Sequence, residues 1–343
     1  MRIAQITSVY IPVPPPTHGG TEMMVSHLTE ELVRRGHDVR LHASGDSSTA
    51  ASLRAVTERA TLDQPDVTLY IEKELEARNA FEAYRSAGEV DVIHGHWPVL
   101  AQYFAPFTAT PTLLTYHYIE RHLHEYYRRE IPSLRPVCVS RRQAELLDEP
   151  DLPVVYNGLD VEHIPFGEMA EDYLVLVARM TPTKGIAEAI RIAQAAGERL
   201  VLIGPVSRYL PWSRAFYEEE VLPHVDGDRV THIEEAPNAD VLEIVSRAKA
   251  FLFPLQWDEP FGLAAAEAMA CGTPVVTYPR GSMPELVADG ASGCLVESED
   301  EAVAAIARAA ALDRRAVRSH VEGRFTVERM VDGYEALYRE CVG

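Results

Sequence analysis

Long apolar runs and positive charge are both scarce in this 343-residue sequence. No stretch of eighteen apolar residues occurs, so no helix is expected to cross a membrane. Cysteine is sparse. Cys138, Cys271, Cys294 and Cys341 lie far apart and form no CxxC pair, which argues against a zinc site or a disulfide framework. A reducing cytoplasm is the expected location. Met1–Thr7 reads as a strand and lacks the charged leader, long apolar stretch and cleavage site of a signal peptide. With 32 basic against 52 acidic residues the net charge is −20. Such a surface repels nucleic acid and anionic lipid, so no nucleic-acid partner is expected and there is no strong membrane signal. An anionic ligand must be held by a few local cations and backbone amides. Only Lys73, Lys184 and Lys249 are lysines, so a lysine inside a motif stands out. G-x-G-x-x-G is absent after every predicted strand, which counts against an NAD oxidoreductase.

What is present is alternation. Short β-branched runs occur at Ile3–Thr7, Val39–Ala43, Val90–His94, Thr112–Tyr116, Pro136–Val139 and Val154–Tyr156. A second series follows at Tyr173–Ala178, Leu200–Ile203, Val230–Ile233, Ala250–Phe253, Pro274–Thr277 and Gly293–Val296. Amphipathic stretches such as Glu22–Arg35, Glu188–Ala196, Ala239–Ala248, Leu263–Ala270 and Glu301–Ala311 lie between them. This pattern predicts an α/β protein with parallel sheets covered on both faces. Six strands on each side of a Gly-, Asp- and Pro-containing junction at Asn157–Glu171 suggest two facing Rossmann-like domains. Ligands of open α/β sheets sit beyond the carboxyl ends of the strands, so a site is expected in the interdomain cleft.

The strongest local signal runs from Trp257 to Val276. It reads as a loop, a helix opening near Phe261, a stop at Gly272 and a buried strand. First-turn amides are unpaired and carry partial positive charge, so Phe261, Gly262 and Leu263 can aim N–H groups at a phosphate or hydroxyl. Gly262 would let a ligand approach closely. Glu259 precedes the helix, and Glu267 lies about a turn and a half inside it. Two carboxylates so placed can accept hydrogen bonds from two points of one ligand. For two isolated glutamates, a helix cap and a solvated face would suffice. That leaves unexplained a carboxylate inside the apolar helix Ala264–Met269, where a partner is expected.

The spacing Glu259-x7-Glu267 followed by A-M-A-C-G-T-P-V-V resembles the signature of the retaining family-4 glycosyltransferases of GT-B fold. Other segments resemble that family in the same order. They are Gly19-Gly20-Thr21-Glu22, the junction Tyr156–Asp160, Leu176–Met180 with Lys184-Gly185, and Gly281–Leu286. Ala178 stands where the family usually has glycine. The resemblance implies an acceptor-binding domain of residues 1–162 completed by a C-terminal helix at about 326–343, and a nucleotide-sugar-binding domain of residues 163–325. It further implies that Arg179 and Lys184 neutralise the diphosphate and that Glu267 binds the ribose hydroxyls. Glu259 would bind the transferred sugar, with the amides of Phe261, Gly262 and Leu263. Gly19 and Gly20 would approach the phosphates from the other domain. Thr231–Glu235, with Ile233 and Glu234, aligns with the base pocket. Glu234 replaces a common glycine there, and uridine is favoured over guanosine. His117, after a strand end, would contact the transferred sugar.

The implied reaction is a retaining, front-face transfer to a soluble small-molecule or oligosaccharide hydroxyl, with His117, Glu259, Arg179 and Lys184 as the catalytic set and no metal or other cofactor. His94-Gly95-His96, His122-Leu123-His124 and Asp226-Gly227-Asp228 could suggest metal ligands, but no cysteine or carboxylate lies at ligand spacing beside either histidine pair. The aspartate pair reads as a turn. Acceptor recognition is expected from residues 8–21, 44–48, 95–103 and 117–128. The last of these could equally be an amphipathic surface helix. Compact length and arginine-rich composition also resemble actinobacterial glycosyltransferases of orthosomycin (avilamycin-type) antibiotic pathways. A nucleotide-sugar epimerase of the same architecture is the alternative.

Overall fold

The computed structural model describes residues 1–17, 19–62, 64–96, 101–207 and 210–343. The chain divides into two compact units: Met1–Leu159 with Val327–Gly343, and Asp160–Thr326. The first unit runs β1 (Arg2–Ile6), α1 (Gly20–Arg34), β2 (Asp38–Ala43), β3 (Ser52–Ala55), α2 (Leu69–Arg85), β4 (Val92–Gly95), β5 (Thr112–Tyr116), α3 (Arg121–Glu130), β6 (Leu134–Cys138) and α4 (Arg141–Leu146). The strands form one sheet in the order β3-β2-β1-β4-β5-β6, with every pairing parallel.

The second unit runs β7 (Leu174–Val177), α5 (Ile186–Ala196), β8 (Leu200–Ile203), α6 (Pro211–Phe216), β9 (Val230–Ile233), α7 (Asn238–Arg247), β10 (Ala250–Phe253), α8 (Leu263–Ala270), β11 (Val275–Thr277), α9 (Met283–Leu286), β12 (Gly293–Leu295), α10 (Glu299–Ala310) and α11 (Arg314–Glu322). Its sheet is ordered β12-β11-β10-β7-β8-β9. Counted from its own first strand this is the order of the first unit again, that of a doubly wound nucleotide-binding fold.

Helix α12 (Val327–Val342) belongs to the first unit. Its Val327, Met330, Val331, Tyr334 and Tyr338 join Leu28 and Leu32 of α1 and Ile3, Leu41, Val92 and Leu113 of the sheet in one buried cluster. Charge fastens it as well. Arg35 donates to Asp332 at 2.6 Å and to the Glu328 carbonyl at 3.1 Å, and His37 meets Glu335 at 2.7 Å.

One expectation is corrected. Val154–Tyr156 is not a strand: only one bridge, Cys138↔Val154, forms beside the edge strand β6. The sixth strand is instead β3, an edge strand with exposed positions and no continuous apolar run to announce it. Edge location also explains how β6 tolerates Pro136, whose missing N–H removes no ladder bond from a central strand. Residues 117–128 are mostly helix α3, in line with the surface-helix alternative. Among the described residues no helix is long and apolar enough to cross a membrane.

Helix α8 is held in place by Arg318 of α11. Its guanidinium donates to the Ala270 carbonyl at the C-terminal end of α8 at 2.9 Å, to Ile164 O at 3.0 Å and to Val161 O at 2.6 Å. A cation at a helix C-terminus is favourably placed against the helix dipole. Arg318→Ala leaves these carbonyls without a charged donor and is expected to cost about 2–3 kcal/mol, read as a lower midpoint of thermal unfolding. Arg318→Lys, which cannot fork to all three, recovers only part of it.

Candidate functional site

The segment from Pro254 to Gly262 links β10 to α8 and is clamped on two sides. On one side, Gly281 N donates to Asp258 Oδ1 at 2.9 Å, Ser282 N to Glu259 O at 2.9 Å, and Ser282 Oγ to Phe261 O at 2.7 Å. A Cβ on Gly281 would lie 2.2 Å from Glu259 N and 2.3 Å from Glu259 O, so only glycine allows this approach. On the other side, Gln256 N donates to Thr183 O at 2.9 Å, and Gly185 packs so closely on Pro254 that a Cβ would come within 2.0 Å of its carbonyl oxygen.

These contacts bring Lys184 and Glu259 together although 75 residues separate them. Lys184 Nζ donates to Glu259 Oε2 at 2.5 Å, Trp257 Nε1 donates to the same oxygen at 2.8 Å, and the ammonium lies 4.7 Å from the centre of the Trp257 ring. Only 13% of the lysine side chain and 14% of the glutamate side chain are exposed. Water therefore screens the pair weakly.

Helix α8 opens at Gly262, which adopts φ +87° and offers no side-chain cap. The glycine is favoured by its own backbone, since φ +87° strains any residue with a Cβ. Ligand approach is not needed to explain it. Leu263 follows as the first helical residue, and Phe261 is buried just ahead of it. The first-turn amides of α8 point out of the helix with no side chain capping them.

Inside α8, Glu267 lies between the buried Ala266 and Ala268. The partner expected for its carboxylate is absent: no hydrogen bond to that group comes from any described residue. Desolvation raises its pKa from 4.5 to about 7.

Arg179 follows β7, is exposed, and makes no ion pair among the described residues. Ile233 ends β9 half-buried, and Glu234 is exposed next to it. Lys184, Glu259, the α8 N-terminus, Arg179 and Ile233 thus all stand at the carboxyl-end side of one sheet, beyond β7, β9 and β10, where open α/β folds bind ligands.

In the first unit Gly19 caps α1 with φ +146°, and Gly20 is its first residue. His18 and residues 97–100 lie outside the described residues. The buried Glu22 of the first turn has its pKa raised to about 6 by desolvation. His117 follows β5, half-buried, with Nε2 3.4 Å from His96 Nδ1. Desolvation pushes its pKa down to about 3, so the ring is neutral at physiological pH.

The residues of the motifs that could suggest metal make other contacts in the structure. Asp226 Oδ1 accepts from the amides of Asp228, Arg229 and Val230 at 2.8–3.0 Å, forming a turn. His124 is buried between Tyr116 and Glu149, and His122 is exposed. Among the described residues no group of three or more His, Cys, Asp or Glu could hold a metal ion. Trp257 and Ser282 contact the Glu259 loop and are not expected from the sequence as such: Trp257 heads the segment Trp257–Val276, but nothing in the sequence shows an indole N–H turned back on Glu259.

Comparison with known proteins gives the class. The family model described as "Glycosyl transferases group 1" matches residues 165–321, and "Glycosyltransferase Family 4" matches residues 18–163. Glycogen synthase of Mycobacterium tuberculosis is 27% identical over 367 residues, covering 91% of this chain and 86% of that protein. A D-inositol 3-phosphate glycosyltransferase of Segniliparus rotundus is 33% identical over 226 residues, covering 57% of this chain and 48% of that protein. Among solved structures, AviGT4, a glycosyltransferase involved in avilamycin A biosynthesis, superposes with TM-score 0.75 at 24% identity, covering 99% and 98% of the two chains. Anabaena HepE in complex with UDP and glucose superposes with TM-score 0.74 at 18% identity, covering 98% and 99%. These likenesses show the fold.

The protein is a sugar-transferring enzyme of GT-B fold. Two family models that together span most of the chain place it in the family-4 glycosyltransferases. Both describe glycosyltransferases, and nothing found favours the epimerase alternative.

Glu267 makes stability depend on pH. Its folded-state pKa lies above the ordinary value of 4.5, so its contribution is fully present below about pH 4.5 and is lost as pH rises through about 7. Glu267→Gln is therefore expected to flatten the fall in melting temperature between about pH 5 and about pH 8, measured by differential scanning calorimetry.

Proposed function

We propose that the protein is a retaining glycosyltransferase that takes a sugar from a nucleoside-diphosphate donor, with uridine preferred as the base. The single observation behind this reading is the cluster at α8. There Lys184 pairs with Glu259 just ahead of a helix N-terminus that no side chain caps, and Glu267 lies inside the same helix with its carboxylate unpartnered among the described residues.

Each group has a role that suits its chemistry. Lys184, Arg179 and the first-turn amides meet the diphosphate, as cations and oriented N–H groups do. Gly19 and Gly20 at the head of α1 supply further amides. Glu267 accepts from the two ribose hydroxyls, and Ile233 and Glu234 border the base. Glu259 accepts from hydroxyls of the transferred sugar. Without ligand, Lys184 and Glu259 neutralise each other; when the donor binds, its phosphate and hydroxyls divide them.

The acceptor hydroxyl attacks the anomeric carbon from the face that the diphosphate leaves. The bond from that carbon to the phosphate oxygen breaks as the new glycosidic bond forms, and the acceptor proton passes to the departing phosphate. The protein contributes charge stabilisation of the leaving group. In this reading the diphosphate is met by side chains and amides, and no metal is given a role. The first unit supplies His117 and the acceptor contacts. The acceptor is a soluble small molecule or oligosaccharide, an antibiotic-pathway sugar chain among the classes to screen, and the enzyme works in the cytoplasm.

The test is a panel of nucleotide sugars scored for slow donor hydrolysis, then for transfer to candidate acceptors with the product anomer read by NMR. Arg179→Ala and Lys184→Ala are each expected to lower turnover on the order of 100-fold. Full turnover by both variants, or inversion at the anomeric carbon, contradicts the reading.

A further inference from the structure

Three histidines of the first unit form a connected, water-poor series at the carboxyl ends of β4 and β5. His94 is fully buried, with Nδ1 2.6 Å from Tyr338 Oη and Nε2 2.8 Å from Thr115 Oγ1. Thr115 Oγ1 lies 2.9 Å from Tyr334 Oη, so the C-terminal helix α12 fixes this ring from two sides. His96, also fully buried, tilts against His94 with ring centres 3.9 Å apart. Its Nε2 lies 3.0 Å from Gln5 Oε1, and its Nδ1 lies 3.4 Å from Nε2 of His117. Only His117, the last in the series, keeps some exposed surface.

The protons can be placed by following donors and acceptors. With the Gln5 amide turned so that Oε1 faces the ring, His96 donates through Nε2–H, because an amide oxygen has no proton to give. Gln5 Oε1 takes a second bond from Thr29 Oγ1 at 3.3 Å, while the Gln5 amide nitrogen is buried without a hydrogen-bond partner among the described residues. A neutral imidazole that donates at Nε2 has its lone pair at Nδ1. His117 then donates Nε2–H to that lone pair, and its own Nδ1 is left as an acceptor. Desolvation holds all three rings well below the ordinary histidine value, so none carries charge that would upset this order.

We propose that His96, backed by Gln5, is a positioning residue that locks His117 as the Nε2–H tautomer, presenting its Nδ1 as an acceptor for a hydroxyl of the bound sugar. The proposal rests on the reading above that His117 meets substrate. The lock has a specific consequence for recognition: His117 accepts from a sugar hydroxyl and does not donate to the leaving phosphate. Removing His96 frees the ring to rotate and to exchange tautomers.

The experiment is two-bond 1H–15N NMR of ring-labelled protein, with the His117 signals assigned through His117→Gln. Wild-type protein is expected to show the Nε2–H tautomer at His117, unchanged between about pH 6 and about pH 8. His96→Ala is expected to give mixed tautomers and a kcat lowered roughly 10- to 100-fold, with UDP affinity unchanged. His96→Asn, whose Oδ1 takes the place of the Nδ1 lone pair, is expected to restore the single tautomer and most of kcat. An Nδ1–H tautomer at His117 in the wild type overturns the proposal without need of a variant. So does a His96→Ala protein with wild-type tautomer and turnover. Full activity of His117→Ala would instead remove the substrate contact from the functional reading, and the wild-type spectrum would still decide the lock.

Discussion

The ion pair between Lys184 and Glu259 is the contact around which the second unit organises its site. It joins the turn after β7 to the loop after β10, two strands that are neighbours in the sheet. Nothing local would bring these side chains together. The turn is pressed onto Pro254 through Gly185, and the loop is held by Gly281 and Ser282 from beyond β11. Two left-handed glycines and a run of backbone bonds thus hold this carboxylate in place against the lysine. Trp257 adds a second donor to the same oxygen and a ring face to the lysine. Truncating either charge would leave the other poorly hydrated, which is why the pair is more than a surface contact.

The two units repeat one architecture and use it differently. Each sheet has the same strand order, with its candidate site residues beyond the carboxyl ends of the strands. In the second unit those ends carry charge: Arg179, Lys184, Glu259 and Glu267. In the first they carry glycines and the buried Glu22 at α1, and a line of histidines that burial keeps uncharged. A protein of net charge −20 does not attract an anion by its overall field, so in the proposed reading a diphosphate is held by the few cations and amides gathered at one edge.

Much of the fold could be read from the residues because buried parallel strands announce themselves as short β-branched runs. Thr112–Tyr116, Leu200–Ile203, Val230–Ile233, Ala250–Phe253 and helix Leu263–Ala270 coincide with the structure residue for residue. Ser52–Ala55 was missed because an exposed edge strand needs no apolar run. Val154–Tyr156 was wrongly included because Val154 and Val155 satisfy propensity yet gain only one bridge. At the site, the spacing of Glu259 and Glu267 and the family resemblance that adds Lys184 name the residues but not how they are engaged. The pairing of Lys184 with Glu259, the donation from Trp257 and the lack of a partner at Glu267 are tertiary facts. So is the bond from His117 to His96, which joins residues 21 apart in sequence.

The central claim is that the second unit grips a nucleoside diphosphate at the head of α8. A crystal structure with UDP tests it most directly. The predicted result places the diphosphate at the first-turn amides of α8 and at Lys184, with the ribose hydroxyls within hydrogen-bonding distance of Glu267. UDP bound away from α8, with Lys184 and Glu267 both untouched, would contradict it.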